Sequence, residues 1–188
     1  MSRAAALLLV VCPLLFGCSA AAGVRPAAYP DMDVPCPGGL KTWNLRVLDR
    51  RARTESSEKV VAAVRDGIEK SFPGCRWVSE EGTPAIEIEI HTFDVEKQGD
   101  VWDATASWTV TASSAMGSTL ISFEAEETVS RPNYRGVDNE KQALTDAYHA
   151  AMERTVKGLR TVRTSLSRPP LGTHDPSRGQ SPSAGADL

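Results

Sequence analysis

Aromatic side chains are scarce in this chain, at 6% of 188 residues, and histidine occurs only three times. The histidines, His91, His149 and His174, are scattered and belong to no recognised ligand motif, so no metal site is expected. Asp146, His149 and Glu153 would share one helix face, but it lies opposite an apolar stripe and reads as solvated surface. There is no Gly-x-Ser-x-Gly elbow, phosphate loop or dinucleotide fingerprint, and we expect neither catalytic residues nor a cofactor. Basic charge is also lacking: 21 Lys and Arg face 24 Asp and Glu, for a net charge of −3. Such a balance lacks the footprint that nucleic-acid binding needs. Finally, the apolar run Ala4–Phe16 would be only about 20 Å long as a helix, short of a roughly 30 Å hydrocarbon core.

That run is nevertheless informative. It follows the basic start Met1-Ser2-Arg3 and leads into Leu15-Phe16-Gly17-Cys18, so it reads as the apolar core of an export signal. Leu15-Phe16-Gly17-Cys18 resembles the lipobox of bacterial lipoproteins. The resemblance implies cleavage before Cys18, acylation of its sulfur and acylation of its new amino group. Several acyl chains give stable anchoring where one does not. Ser19 stands where an aspartate would signal inner-membrane retention in many enterobacteria. The resemblance thus favours the outer membrane, with the protein facing the periplasm.

The expected organisation is a signal peptide over 1–17, a flexible tether over 18–35, a folded unit over 36–164 and a disordered tail over 165–188. The tether is rich in Ala, Gly and Pro, and as a coil would span roughly 20–25 Å. The tail carries Pro169-Pro170, Gly172, Gly179, Pro182 and several serines, with almost nothing to bury.

Within the folded unit, Trp43, Leu45 and Val47 alternate in a first strand. Val60, Val61, Val64, Ile68 and Phe72 then follow helical spacing behind a Ser56 or Ser57 cap, until Pro73-Gly74 stops the helix. A short strand is expected at 76–79. Three longer strands follow, around Ile86–Ile90, Trp102–Val110 and Ile121–Ala125, with turns at Gln98-Gly99-Asp100 and Met116-Gly117-Ser118. Phe93 and Val95 fall out of register with Ile86–Ile90, which indicates a bulge near His91–Thr92. A capping box at Asn139 and Gln142 opens a last helix running to about Val162. Each strand has one apolar face and each helix one stripe. The simplest burial is an α+β two-layer sandwich, a largely antiparallel sheet of four to five strands with both helices on one face.

Of four cysteines, Cys12 leaves with the signal and Cys18 takes the lipid, leaving Cys36 and Cys75. They read as a disulfide or as two free thiols. The first helix is nearly as long as the strand before it, so it returns to that strand's start and brings both cysteines to one end. A bridge there would contribute roughly 4 kcal/mol in the chain-entropy model.

The sheet's other face is polar. Glu87, Glu89, Asp103, Glu124 and Glu126 would project there, interleaved with Thr105, Ser107 and Thr109. This is either the ordinary wet face of an antiparallel sheet, or an acidic platform for a basic partner or a weak cation site. Trp102, Trp108 and Trp43 fall on the apolar side, while Trp77 could lie at a sheet edge.

The order of elements, from the helix over Glu58–Phe72 through Trp102-x-Ala104 and Trp108 to the Ala-rich last helix, resembles a known class. It is similar to the auxiliary lipoproteins of ABC-type lipid transporters and to the lipopolysaccharide-assembly lipoprotein, over roughly Leu40 to Arg163. That resemblance implies binding of partner proteins or lipids without catalysis, and it carries no functional residue across. We therefore expect a lipid-anchored accessory protein, held to the membrane through Cys18, that binds or scaffolds another envelope component such as a transport system. A carrier of an apolar ligand, with a pocket between sheet and helices, is the alternative, and an envelope hydrolase comes third.

Overall fold

The computed structural model describes residues 26–51, 56–135 and 138–163. The expected signal peptide, residues 18–25 of the expected tether with Cys18, and the expected tail lie outside the described residues. The elements are β1 (Thr42–Asp49), α1 (Ser57–Ser71), β2 (Arg76–Val78), β3 (Ala85–Gln98), β4 (Val101–Ser113), β5 (Thr119–Pro132) and α2 (Asn139–Leu159). One five-stranded sheet has the order β2-β1-β3-β4-β5. Strands β3, β4 and β5 form the antiparallel meander that their short turns require. Gly99, at φ 62°, makes the β3–β4 turn in a backbone region that other residues rarely adopt.

The sheet is mixed, because β1 runs parallel to both β2 and β3. Parallel neighbours need a crossover, and α1 supplies it between β1 and β2. Pairing of β3 with β4 shifts between Ile90 and Thr92, leaving His91 as the extra residue of the bulge. The bulge restores the apolar alternation, so Phe93 and Val95 point to the same side as Ile86, Ile88 and Ile90. All five are buried.

Both helices cover that side. Trp43, Trp108, Ile88, Tyr148, Leu144, Met152 and Ile68 pack there with almost no exposed surface. Trp108 donates its indole N–H to Thr155 Oγ1 at 2.8 Å, and the Tyr148 hydroxyl donates to the Ala63 carbonyl at 2.7 Å. Gly67 marks the crossing of the helices: a Cβ there would come within 2.9 Å of Met152 Cε and closer still to the Tyr148 hydroxyl. The residue that weakens the helix in isolation is the one that lets the two helices meet. Trp102 is only half-buried; its ring lies under Lys97 Nζ at 5.8 Å and its N–H donates to Asn133.

Three local expectations change. The α2 cap is Asp138 rather than Asn139, its carboxylate accepting the Lys141 N–H at 3.1 Å. Asn139 is instead buried, donating to the Tyr134 carbonyl. The last helix ends at Leu159, short of Val162.

The largest change concerns the expected tether. Residues 26–35 are a strap laid along the groove between α1 and α2. Tyr29 and Val34 are 5% and 6% exposed and belong to the core. Met32 N–H donates to the Lys70 carbonyl at 3.2 Å, and Ala27 N–H to Thr145 Oγ1 at 3.1 Å. Tyr29 meets Tyr148 and His149 edge-on. A composition poor in apolar residues hid this, because two side chains dropped into a ready-made groove are enough to order a short segment.

The strap ends in the disulfide between Cys36 and Cys75, whose Cα atoms are 5.5 Å apart. Cys36 precedes β1 and Cys75 follows α1, so the bridge closes the end at which strand and helix meet.

Candidate functional site

The cross-strand register arranges the open face of the sheet in rows, since directly paired residues share a side. Moving from one end to the other, the rows read Arg46–Glu87–Thr111–Ser122, then Glu89–Thr109–Glu124, then Thr92–Ser107–Glu126. Beyond the bulge come Asp94–Thr105–Thr128 and Glu96–Asp103–Ser130. All five carboxylates expected from the alternation, Glu87, Glu89, Asp103, Glu124 and Glu126, therefore stand on this side. They do not converge on one point. Glu89 and Glu124 flank Thr109 on strands two positions apart, roughly 10 Å between backbones.

Asp94 and Glu96 join them, and reading the sequence by alternation alone missed both. The available signal was the restart after the bulge: once Phe93 and Val95 turn inward, their neighbours must turn outward.

The hydroxyls of these rows pair with one another and with neighbouring side chains. Thr105 and Thr128 lie 3.0 Å apart through their Oγ1 atoms, and the Thr111 and Ser122 oxygens 3.1 Å. His91 Nε2 sits 2.8 Å from Thr109 Oγ1. Ser130 donates to Asp103 at 2.5 Å, and Ser107, only 5% exposed, donates to Glu124 at 3.5 Å. Arg50 pairs with Glu89. Where the bulge bends the sheet, the face hollows into a trough of about 480 Å³ lined by Thr92, Asp94, Glu96, Gln98, Asp103, Thr105, Thr128 and Ser130. Every lining side chain is polar. The trough can accept hydrogen bonds from ammonium or guanidinium groups, and it offers nothing to an acyl chain.

A second concavity, of about 520 Å³, lies beside the disulfide, between Pro35–Gly39 and Arg160, Val162 and Arg163 at the end of α2. Among the described residues no group of three or more His, Cys, Asp or Glu is placed to hold a metal ion, and no helix is long and apolar enough to cross a membrane. Asp146, His149 and Glu153 do not act together: Asp146 pairs with Arg131, while His149 Nε2 lies 3.3 Å from the Ala27 carbonyl of the strap.

The perturbed ionisations sit away from the open face. Burial pushes the Asp49 carboxyl up, but hydrogen bonds from the Arg51 side chain, Ser57 and the Arg51 backbone outweigh it and hold the group below its ordinary range. The Arg51 guanidinium also donates to the Phe93 carbonyl at 3.1 Å, tying the end of β1 to the bulged strand. Burial, and then the charge of Glu153, raise the Tyr29 phenol. Burial, and then Asp138, raise Glu140.

No family model matches the sequence, and no curated relative does. Solved structures of similar shape include several bacterial lipoproteins. Lipoprotein GNA1162 from Neisseria meningitidis is 8% identical, covers 63% of this chain and 99% of its own, and has a TM-score of 0.41. A minor lipoprotein from Acinetobacter baumannii is 14% identical, with 68% and 92% covered and a TM-score of 0.36. A PelC dodecamer from Paraburkholderia phytofirmans is 8% identical, with 68% and 96% covered and a TM-score of 0.38. Likeness at this level carries no argument about activity or partner.

Proposed function

We propose that this protein is a lipid-anchored, non-enzymatic envelope protein, acylated at Cys18, whose open sheet face binds a basic surface of another envelope component. The observation that carries the reading is the contrast between the sides of one sheet. The side under the helices is filled by large apolar residues, while the other displays seven carboxylates (Glu87, Glu89, Asp94, Glu96, Asp103, Glu124, Glu126) interleaved with hydroxyls. Against these acids the face offers Arg46 and Arg50. Charge so arranged speeds encounter with a positive surface and sets specificity more than it adds affinity.

The Cys36–Cys75 bridge supports export to an oxidising compartment. Within the envelope, the outer membrane facing the periplasm is the proposed location, and transport systems are the partner class the sequence resemblance points to. Carriage of an apolar ligand is disfavoured, since a carrier needs room between sheet and helices and that space is taken by Trp108, Tyr148, Met152 and their neighbours.

Carbodiimide coupling of carboxylates to partner lysines in intact envelopes tests the face. The wild-type chain should give a discrete crosslinked product that the combined Glu87→Gln, Glu124→Gln and Glu126→Gln variant loses. A product undiminished in that variant would overturn the assignment. Labelled fatty acid entering the wild-type chain but not Cys18→Ser tests the anchor separately.

A further inference from the structure

The strap fixes more than its own conformation. Its lower end is held by the disulfide at Cys36, its middle by Met32 N–H on the Lys70 carbonyl, and its upper end by Ala27 on Thr145. Tyr29 is locked between these points against Tyr148 and His149, with ring centroids 6.2 and 5.4 Å away. The chain therefore leaves the described fold at Pro26, itself buried, on the outer surface of the helix layer. From Pro26 back to Cys18 is eight residues, which can span at most about 29 Å however they are arranged.

The geometry points to the outer helix layer as the surface that this protein turns toward the bilayer, with the acidic sheet face directed away from it. This rests on the acylation of Cys18 proposed above. If the open face lay on the lipid instead, the chain from Pro26 would have to reach the rim of the domain. It would then have to descend past a helix about 10 Å across and past the sheet beneath it. Helix and sheet together take about 20 Å of that path before the run to the rim is added, so most of the reach is spent before any lipid is met.

Charge gives a second, independent argument. The open face carries seven carboxylates against two arginines, so a leaflet containing anionic lipid repels it. On the helices the signs balance, three acids against three bases on each, and pair locally as in Lys70–Asp66 at 2.9 Å and Arg65–Glu69 at 3.9 Å; the strap adds Asp31 and Asp33, and the repulsion there is still weaker than at the open face. Tether length and charge thus select the same side, and the face proposed to bind a partner is left free.

The test uses the full acylated chain in phosphatidylethanolamine–phosphatidylglycerol vesicles that include a headgroup-quencher lipid. A fluorescent amino acid replaces Ala62 or Ala150 on the helix layer, or Ser122 on the open face. Quenching at 62 and 150 should exceed that at 122 several-fold. A Gly-Ser spacer of about twenty residues inserted between Gly23 and Val24 should shrink the difference to less than twofold while the protein still pellets with vesicles. Equal quenching at all three sites, or stronger quenching at 122, overturns the orientation while leaving the anchor intact. A chain that fails to pellet with vesicles overturns the anchor, and the orientation with it.

Discussion

Trp108 and Thr109 are adjacent on β4, yet they belong to different molecules in all but the covalent sense. Trp108 has no exposed surface and gives its N–H to Thr155 on the far helix. Thr109 sits on the other side, half-buried between Glu89 and Glu124, with the His91 ring on its hydroxyl. One side of the sheet is held by volume and the other presents charge. Because side chains alternate at every residue, the same backbone serves both without compromise. The open face is therefore free to change: the packed core lies on the side under the helices, so the displayed acids can vary without loosening it.

The strongest way to break this contrast is to cut into the closed side. Trp108→Ala should cost about 3–5 kcal/mol, since the ring is fully buried and Thr155 loses its donor; urea unfolding followed by circular dichroism measures it. A cost under about 1 kcal/mol would mean that the core is not closed around the indole.

Within the closed side the tryptophans should differ. Trp43 is equally buried, but among the described residues its indole N–H has no hydrogen-bond partner. Converting each to Phe removes similar area, but only Trp108→Phe also removes a hydrogen bond. Trp108→Phe should therefore be the more destabilising by about 1 kcal/mol, and equal midpoint shifts would contradict the pairing with Thr155.

The strap offers a pH test of where the closed side ends. Burial and Glu153 raise the Tyr29 phenol above its ordinary value, so the folded state holds that proton more tightly than the unfolded chain does. Its contribution is fully present below the unfolded value of about 10 and declines as pH rises through the higher folded value. Wild-type stability should fall more steeply above about pH 10 than that of Tyr29→Phe. Parallel profiles would place Tyr29 outside the core.

The smallest effect belongs to the open side. Glu124→Gln or Glu126→Gln should move stability by no more than about 0.5 kcal/mol, while the combined variant loses its partner crosslink. A large loss of stability there would show that the acids hold the fold together.

Much of this arrangement is legible in the chain. The Ile86–Ile90 alternation, the switch at Phe93 and the spacing of Val60, Val64 and Ile68 are local signals, and they identify strand, bulge and helix without any distant contact. The five carboxylates were readable for the same reason, since alternation assigns them once a neighbour's side is known. Asp94 and Glu96 were not, because the parity that places them is reset by one extra residue. The strap escaped entirely. Tyr29 and Val34 sit among alanines, glycines and prolines, and nothing within that segment says that a groove awaits them.

The amino-acid sequence by itself determined the inward-facing alternation of the strands, the apolar stripe of each helix and that Cys36 and Cys75 come to one end of the domain, because periodicity and chain reach are properties of neighbours along the chain. The tertiary structure alone decided that β1 lies between β2 and β3, that Gly67 is the crossing of two helices, and that residues 26–35 are clamped in the groove between them. Those outcomes depend on surfaces complementary across many residues of separation, and complementarity exists only once both surfaces have formed.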